Sequence, residues 1–140
     1  MNARKTTSGI VLFLLFFLAC SGLLSAQMNE MNAMYRFRNV AVPVDVVAGA
    51  KVLPKGNYDL EFVRVPTSRW YFVRIMKRGK ILHTVQGEEQ VYDTSETIPK
   101  EPKLHMSLNR GAKKLNLVFE SGWGTEKYGN IRARFSCDFQ

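Results

Sequence analysis

Residues 131–139 read Ile-Arg-Ala-Arg-Phe-Ser-Cys-Asp-Phe. Every second residue from Ile131 to Phe139 is apolar, and the residues between them are charged or polar. Successive side chains of an extended chain point to opposite faces, so this spacing predicts a β-strand with one buried face and one solvated face.

The same alternation occurs upstream, at Tyr58–Phe62, Leu104–Leu108 and Leu115–Phe119. Glycine, proline, asparagine and charged residues separate these segments, as turns between strands require. No helical periodicity is evident after residue 34. The sequence therefore predicts an all-β domain over residues 35–140, a single antiparallel β-sandwich or barrel of about seven strands.

The N-terminal segment has the order of a secretory signal peptide. Arg4 and Lys5 precede an unbroken apolar run over residues 10–19, and small residues end at Ala26. This order predicts a signal peptide over residues 1–26, followed by a flexible N-terminal arm over residues 27–34. The working protein is then expected in the periplasm or outside the cell.

Two alternatives to cleavage after Ala26 remain open. The residues Phe17-Leu18-Ala19-Cys20 resemble a bacterial lipobox, which would make Cys20 a lipidation site and the protein a membrane-anchored lipoprotein. The segment could also stay in place as an anchor, although Ser21 and Gly22 interrupt the run of roughly 20 apolar residues that a membrane span needs.

The charge and cysteine content of the chain limit which molecules it is expected to bind and how it can form disulfides. The chain has 20 basic and 12 acidic residues, and without Arg4 and Lys5 its net charge is +6. This excess favours anionic surfaces such as lipid head groups or acidic polysaccharide. Nucleic acid is not expected as a partner, because no binding motif is present and the protein is predicted to be exported. Cys137 would be the one cysteine left after cleavage, so it is either buried or paired between chains.

A binding surface is predicted around Trp70. Trp70, Phe72 and Arg74 share one face of a strand, whereas Tyr71, Val73 and Ile75 share the other. If the Tyr71 side is buried, the first three form an outward aromatic strip that Trp123 could extend. Such a strip can stack on sugar rings or on a partner protein. The alternative is that Trp70 and Phe72 pack under a loop or the N-terminal arm.

A metal site is the second candidate. Met28, Met31 and Met34 recur at every third residue, and thioethers select Cu(I). The alternative is that these methionines belong to a loosely packed arm.

Catalytic machinery has no candidate in the sequence. Cys137 alternates with apolar residues and has no neighbouring base, and His83 and His105 are isolated. No phosphate loop, nucleophile elbow or zinc motif occurs. We therefore predict a protein that is not an enzyme and uses no cofactor.

The segment Gly49-Ala50-Lys51-Val52-Leu53-Pro54-Lys55-Gly56-Asn57-Tyr58 resembles a recurrent motif. It is similar to Gly-Gly-Lys-x-Leu-Pro-x-Gly-x-Tyr, seen in small exported β-domains of the acidobacterial and Bacteroidetes type. Ala50 stands in place of the second glycine. The resemblance implies a compact envelope β-domain of unassigned function and carries no catalytic residues. Physically, the motif predicts a turn at Pro54–Gly56 and an inward-facing Tyr58.

These observations favour an exported, non-catalytic binding or structural module that contacts envelope glycan, a lipid surface or another envelope protein. Cu(I) handling and an accessory role in a larger envelope assembly are the alternatives.

Overall fold

The computed structural model describes residues 32–65, 70–90, 99–122 and 130–140, and every regular element in these ranges is a β-strand. The predicted signal peptide and residues 27–31 of the predicted arm lie outside the described residues. The strands, in chain order, are β1 (Asn32–Val42), β2 (Val46–Ala48), β3 (Lys51–Leu53), β4 (Gly56–Arg64), β5 (Tyr71–Lys77), β6 (Lys80–Glu89), β7 (Lys103–Asn109), β8 (Lys114–Ser121) and β9 (Ile131–Asp138).

Seven of these strands form one antiparallel sheet, and β2 with β3 forms a separate hairpin. The order across the large sheet is β1-β4-β5-β6-β9-β8-β7. Both halves of this order run outward from β6, the first through β5, β4 and β1 and the second through β9, β8 and β7. The prediction of an all-β antiparallel sandwich or barrel is confirmed.

The first strand begins earlier than the sequence analysis placed it. Asn32 and Ala33 pair with Arg64 and Val63 of β4, so the last residues of the predicted flexible arm belong to β1. The strand ends at Val42, directly before Pro43, whose ring removes the backbone donor that a further pairing would need. β1 is an edge strand, as a proline at this position favours.

Tight turns join β2 to β3 and β5 to β6. Lys77 pairs with Lys80, and the two residues between them, Arg78 and Gly79, both have positive φ, at 51° and 76°. Two consecutive positive φ angles define a type I′ turn, whose twist matches that of the strands it joins. In the β2–β3 hairpin the positive φ falls on Gly49, the first loop residue, as in a type II′ turn.

The core lies inside a curl of the large sheet. Phe62 of β4 and Phe119 of β8 stack with their ring centroids 4.6 Å apart and an interplanar angle of 14°. Four strand spacings separate β4 from β8, which is roughly 19 Å in a flat sheet. The sheet must therefore bend until its two halves face each other. Phe135 of β9 also meets Phe62 edge-on, at 5.3 Å.

Strand alternation places the predicted apolar faces inside this curl. Alternate residues of β4, β5, β8 and β9 are nearly inaccessible to solvent, and they are Tyr58, Leu60, Phe62, Tyr71, Val73, Ile75, Leu115, Leu117, Phe119, Ile131, Ala133, Phe135 and Cys137. The inward position predicted for Tyr58 is confirmed, and its hydroxyl donates a hydrogen bond to the carbonyl oxygen of Pro54. This bond ties the start of β4 to the turn before it.

The pairing between the two halves of the sheet is short. β6 and β9 pair only over Gly87–Glu89, opposite Ala133–Phe135. The remainder of β6 pairs with β5 alone among the described residues. Beyond this seam the β2–β3 hairpin meets the end of β9 through a bridge between Val46 and Phe139.

Candidate functional site

The outer face of β5 carries the predicted aromatic strip. Tyr71, Val73 and Ile75 are at most 2% exposed, so the strand turns this side to the core. Phe72 and Arg74 lie on the opposite side and are partly buried, and Trp70, directly before the strand, is 50% exposed. The structure thus places Trp70, Phe72 and Arg74 on one surface. Trp123 lies outside the described residues.

Polar side chains of the neighbouring strands border this surface. Phe72 is paired with Gln86 of β6, and two residues further along β6 Glu88 is paired with Arg134 of β9. Residues opposite each other in adjacent strands share a face, so all of these side chains lie on the outer side of the sheet. Gln86, Glu88 and Arg134 are exposed. The surroundings of the strip therefore combine an amide, a carboxylate and a guanidinium group.

Arg74 is engaged by a buried carboxylate. Its Nη1 lies 3.2 Å from Oε2 of Glu61, and the Nε and Nη2 of Arg36 donate to Oε1 of the same residue, at 3.1 and 2.5 Å. Glu61 is only 5% exposed, and an unpaired charge so buried would be costly. Its hydrogen bond raises the pKa of the Arg36 guanidinium. Much of the Arg74 charge is therefore compensated within the protein.

A similar group lies on the other half of the sheet. Glu120 of β8 accepts a hydrogen bond from Nε of Arg132 on β9 at 2.7 Å, and Nε2 of His105 on β7 lies 3.3 Å from its second oxygen. In each half, the strand next to the edge supplies the carboxylate and its two neighbours supply the nitrogen groups. Sequence analysis missed both groups, because each carboxylate lies 12 to 25 residues from the side chains that contact it. The available signal was an acidic residue at a polar position of the alternating pattern, in a strand that has neighbours on both sides.

The candidate copper ligands are only partly described. Met34 lies in β1, partly buried and packed against the hydrophobic core. Met28 and Met31, like the lipidation candidate Cys20, lie outside the described residues. Within the described ranges, no group of three histidine, cysteine or acidic side chains is arranged to hold a metal ion.

Cys137 belongs to the apolar interior, as its position in the strand pattern indicates. It is a free thiol with 4% exposure on the inward face of β9. Burial, with a smaller contribution from Asp138, raises its pKa to about 11. A thiol with such a pKa is protonated at neutral pH, and the thiolate is the nucleophilic form.

The interior offers little room for a ligand at the end covered by the hairpin. An apolar pocket lies there, and the volume in which the centre of a water molecule can move is only about 10 Å³. This is roughly the space needed for one water molecule. Its walls are Val42, Val46, Leu53, Tyr58, Leu60, Ile75, Leu115 and Leu117. At this position the structure favours packing over ligand binding.

Comparison with known proteins adds no assignment, because no family model, curated protein or solved structure matches this chain. Within the described ranges, no helix has the length and apolar character to cross a membrane.

Proposed function

We propose that this protein is an exported, non-catalytic binding module of the bacterial envelope, and that the surface formed by Trp70, Phe72 and Arg74 contacts envelope glycan. The observation that carries the proposal is the half-exposed Trp70 beside a strand whose other side is buried. Aromatic rings on such a surface can stack on the apolar faces of sugar rings.

The polar neighbours favour a glycan over a purely anionic surface. Gln86, Glu88 and Arg134 supply donors and acceptors for sugar hydroxyls, and Glu88 places a negative charge among them. Arg74 shares its charge with Glu61. The excess of basic residues over the whole chain then contributes mainly long-range attraction to an acidic polymer.

The export part of the proposal rests on the leader-like order of residues 1–26. Intact-mass measurement of the protein purified from its host distinguishes cleavage after Ala26, lipidation at Cys20 and retention of the segment. The resemblance around Gly49–Tyr58 supports the same compartment.

Retention on isolated cell-wall material tests the glycan surface. We expect Trp70→Ala to lower the affinity about tenfold, which is the usual effect of losing an aromatic anchor at a binding surface. Tyr35→Ala is the matched control, since Tyr35 is also an exposed aromatic residue but lies on β1. Trp123→Ala tests whether that residue extends the surface.

Unchanged retention of Trp70→Ala, with an unaltered circular dichroism spectrum, would contradict the proposal. Binding to phosphatidylglycerol vesicles in place of cell-wall material would contradict the choice of glycan. Retention that survives high salt would support stacking and hydrogen bonding over charge attraction.

A further inference from the structure

One end of the curled sheet carries an excess of basic side chains. The β5–β6 and β7–β8 turns lie at this end, since Lys77 pairs with Lys80 and Asn109 pairs with Lys114. β9 ends there as well, and the β2–β3 hairpin covers it between the end of β1 and the start of β4. We call this surface the basic end, and its basic side chains are Lys51, Lys55, Lys77, Arg78, Lys80, Arg110, Lys113 and Lys114.

Most of these charges are free of ion pairs within the described ranges. Seven of the eight residues are exposed, and the eighth, Lys114, pairs with Asp138. Asp45 and Asp59 are the other acidic residues at this end, and the carboxylate of each accepts a hydrogen bond from a backbone N–H group. The basic end therefore has five more basic than acidic side chains.

Exposed aliphatic side chains lie among these basic residues. Val52 is 43% exposed and follows Lys51 on β3. Ile81 is 46% exposed and follows Lys80 on β6, and Leu82 beside it is 37% exposed. Basic and apolar groups side by side suit the boundary of a lipid bilayer, where the charges meet anionic head groups and the apolar groups enter the acyl layer.

The β5–β6 turn and the hairpin belong to one surface. Nζ of Lys77 lies 5.2 Å from the ring centroid of Tyr58, whose hydroxyl donates to the carbonyl oxygen of Pro54, directly after β3. Tyr58 thus joins the two segments that carry the exposed aliphatic residues Val52 and Ile81. Both segments can contact the same flat surface.

The opposite end of the sheet differs in charge and in its exposed side chains. Glu88 and Glu89 end β6 there, and Glu88 is paired with Arg134 of β9. Among the described residues, two aromatic rings are exposed, and they belong to Tyr35 and Trp70, near the starts of β1 and β5. In the same ranges, exposed large aliphatic side chains occur only at the basic end.

We propose that the basic end docks on the surface of a bilayer that contains anionic phospholipids. Its lysine and arginine side chains contact the head groups, and Val52 and Ile81 enter the upper acyl layer. A lipid surface fits better than an acidic polysaccharide, because a polysaccharide has no apolar layer to receive aliphatic side chains. The inference does not rest on glycan binding. Trp70 and Lys77 lie at the two ends of β5, roughly 23 Å apart at about 3.3 Å per residue.

Co-sedimentation of the protein, as its host processes it, with vesicles of equal parts phosphatidylglycerol and phosphatidylcholine tests the proposal. We expect Lys51→Gln and Lys80→Gln each to lower the partition coefficient about fivefold, the usual contribution of one basic residue at an anionic surface. Lys103→Gln is the matched control, since it removes the same charge from an exposed site at the opposite end of the sheet. Its effect should stay below about twofold in about 0.1 M salt, where the Debye length is about 10 Å.

A second pair of variants tests the apolar contact. Val52→Ser should lower vesicle binding about threefold, because less apolar surface then enters the bilayer. Tyr35→Ser is its control, since it removes an exposed apolar group near the opposite end. Trp70→Ala should leave vesicle binding unchanged, so failure of the lipid contact and failure of the glycan contact are observed separately.

Three results would overturn the proposal. The first is equal binding to vesicles of phosphatidylcholine alone, which an acyl anchor or a retained leader would produce without the basic end. The second is an equal effect of Lys80→Gln and Lys103→Gln. The third is binding that depends on Lys51 and Lys80 but is unchanged by Val52→Ser, as expected for attraction to any acidic polymer.

Discussion

Single side chains in this protein take their chemistry from the strand face on which they lie. Cys137 and Asp138 are neighbours in β9, yet one is a buried thiol and the other an exposed carboxylate that pairs with Lys114. Glu61 departs from this rule. It stands at a polar position of the alternating pattern, yet it is buried and paired with two arginines. Alternation sets the direction of a side chain, but its neighbours on adjacent strands set its environment.

The raised pKa of Cys137 makes the free energy of unfolding depend on pH in the alkaline range. Its pKa is raised from 9.0 to about 11 in the folded state, so between these values the unfolded chain ionises while the folded thiol stays protonated. Stability is fully present below pH 9 and falls as the pH rises towards 11, by about 2 to 3 kcal/mol. We expect urea unfolding at pH 8 and 10.5 to show a smaller decline for Cys137→Ala.

Burial also raises the pKa of Tyr71, which adds to the decline in both proteins and is therefore removed by comparing them. An identical decline in the variant would show that Cys137 does not titrate differently on folding.

At the scale of elements, the seam between β6 and β9 depends on one glycine. Gly87 is buried and pairs with Phe135, and a Cβ atom at Gly87 would meet the Phe135 ring and the carbonyl oxygen of Arg134 at less than contact distance. The absence of a side chain lets the Phe135 ring lie against the β6 backbone. The seam therefore joins the two halves of the sheet through a close approach.

Gly87→Ala should lower the free energy of unfolding by about 1 to 3 kcal/mol, because the ring or the strand must shift to admit the methyl group. Gly111→Ala is the matched control, since a Cβ there comes no closer than 3.6 Å to its nearest neighbour, and its effect should stay within about 0.5 kcal/mol. Urea unfolding of both variants measures the difference. Equal effects would mean that the seam tolerates the added atom.

At the scale of the whole molecule, the curl is held by aromatic contacts between strands that are not neighbours in the sheet. Phe62 of β4 stacks on Phe119 of β8 and meets Phe135 of β9 edge-on, and Phe37 of β1 meets Phe119 edge-on. The backbone hydrogen bonds of the sheet connect adjacent strands only. Closure of the two halves therefore rests on side-chain packing in addition to the short seam.

Phe62→Ala should lower the free energy of unfolding by about 3 to 5 kcal/mol, as expected for removal of a fully buried ring. Phe119→Ala should cost a similar amount. The double variant should cost about 1 kcal/mol less than the two single effects together, because the stacking contact is lost only once. Full additivity in urea unfolding would contradict a direct contribution of the stack.

Much of the fold could be predicted from local pattern. Period-two spacing in Tyr58–Phe62, Leu115–Phe119 and Ile131–Phe139 gave the strands and their inward faces, because side-chain direction in an extended chain depends only on residue parity. The same parity placed Trp70, Phe72 and Arg74 on one face of their strand, but only the burial of Tyr71, Val73 and Ile75 in the folded chain decided that this face is the outer one. The start of β1 at Asn32 was not predicted, since its pairing partners lie some 30 residues away in β4.

The amino-acid order was enough to define the class of fold and the apolar faces of the alternating strands, because these follow from residue parity along the chain. The order of strands, the partners of Glu61, the short seam between β6 and β9 and the outward face of β5 were decided only in the folded chain. They depend on which distant segments become adjacent when the sheet curls, and no spacing along the sequence carries that information.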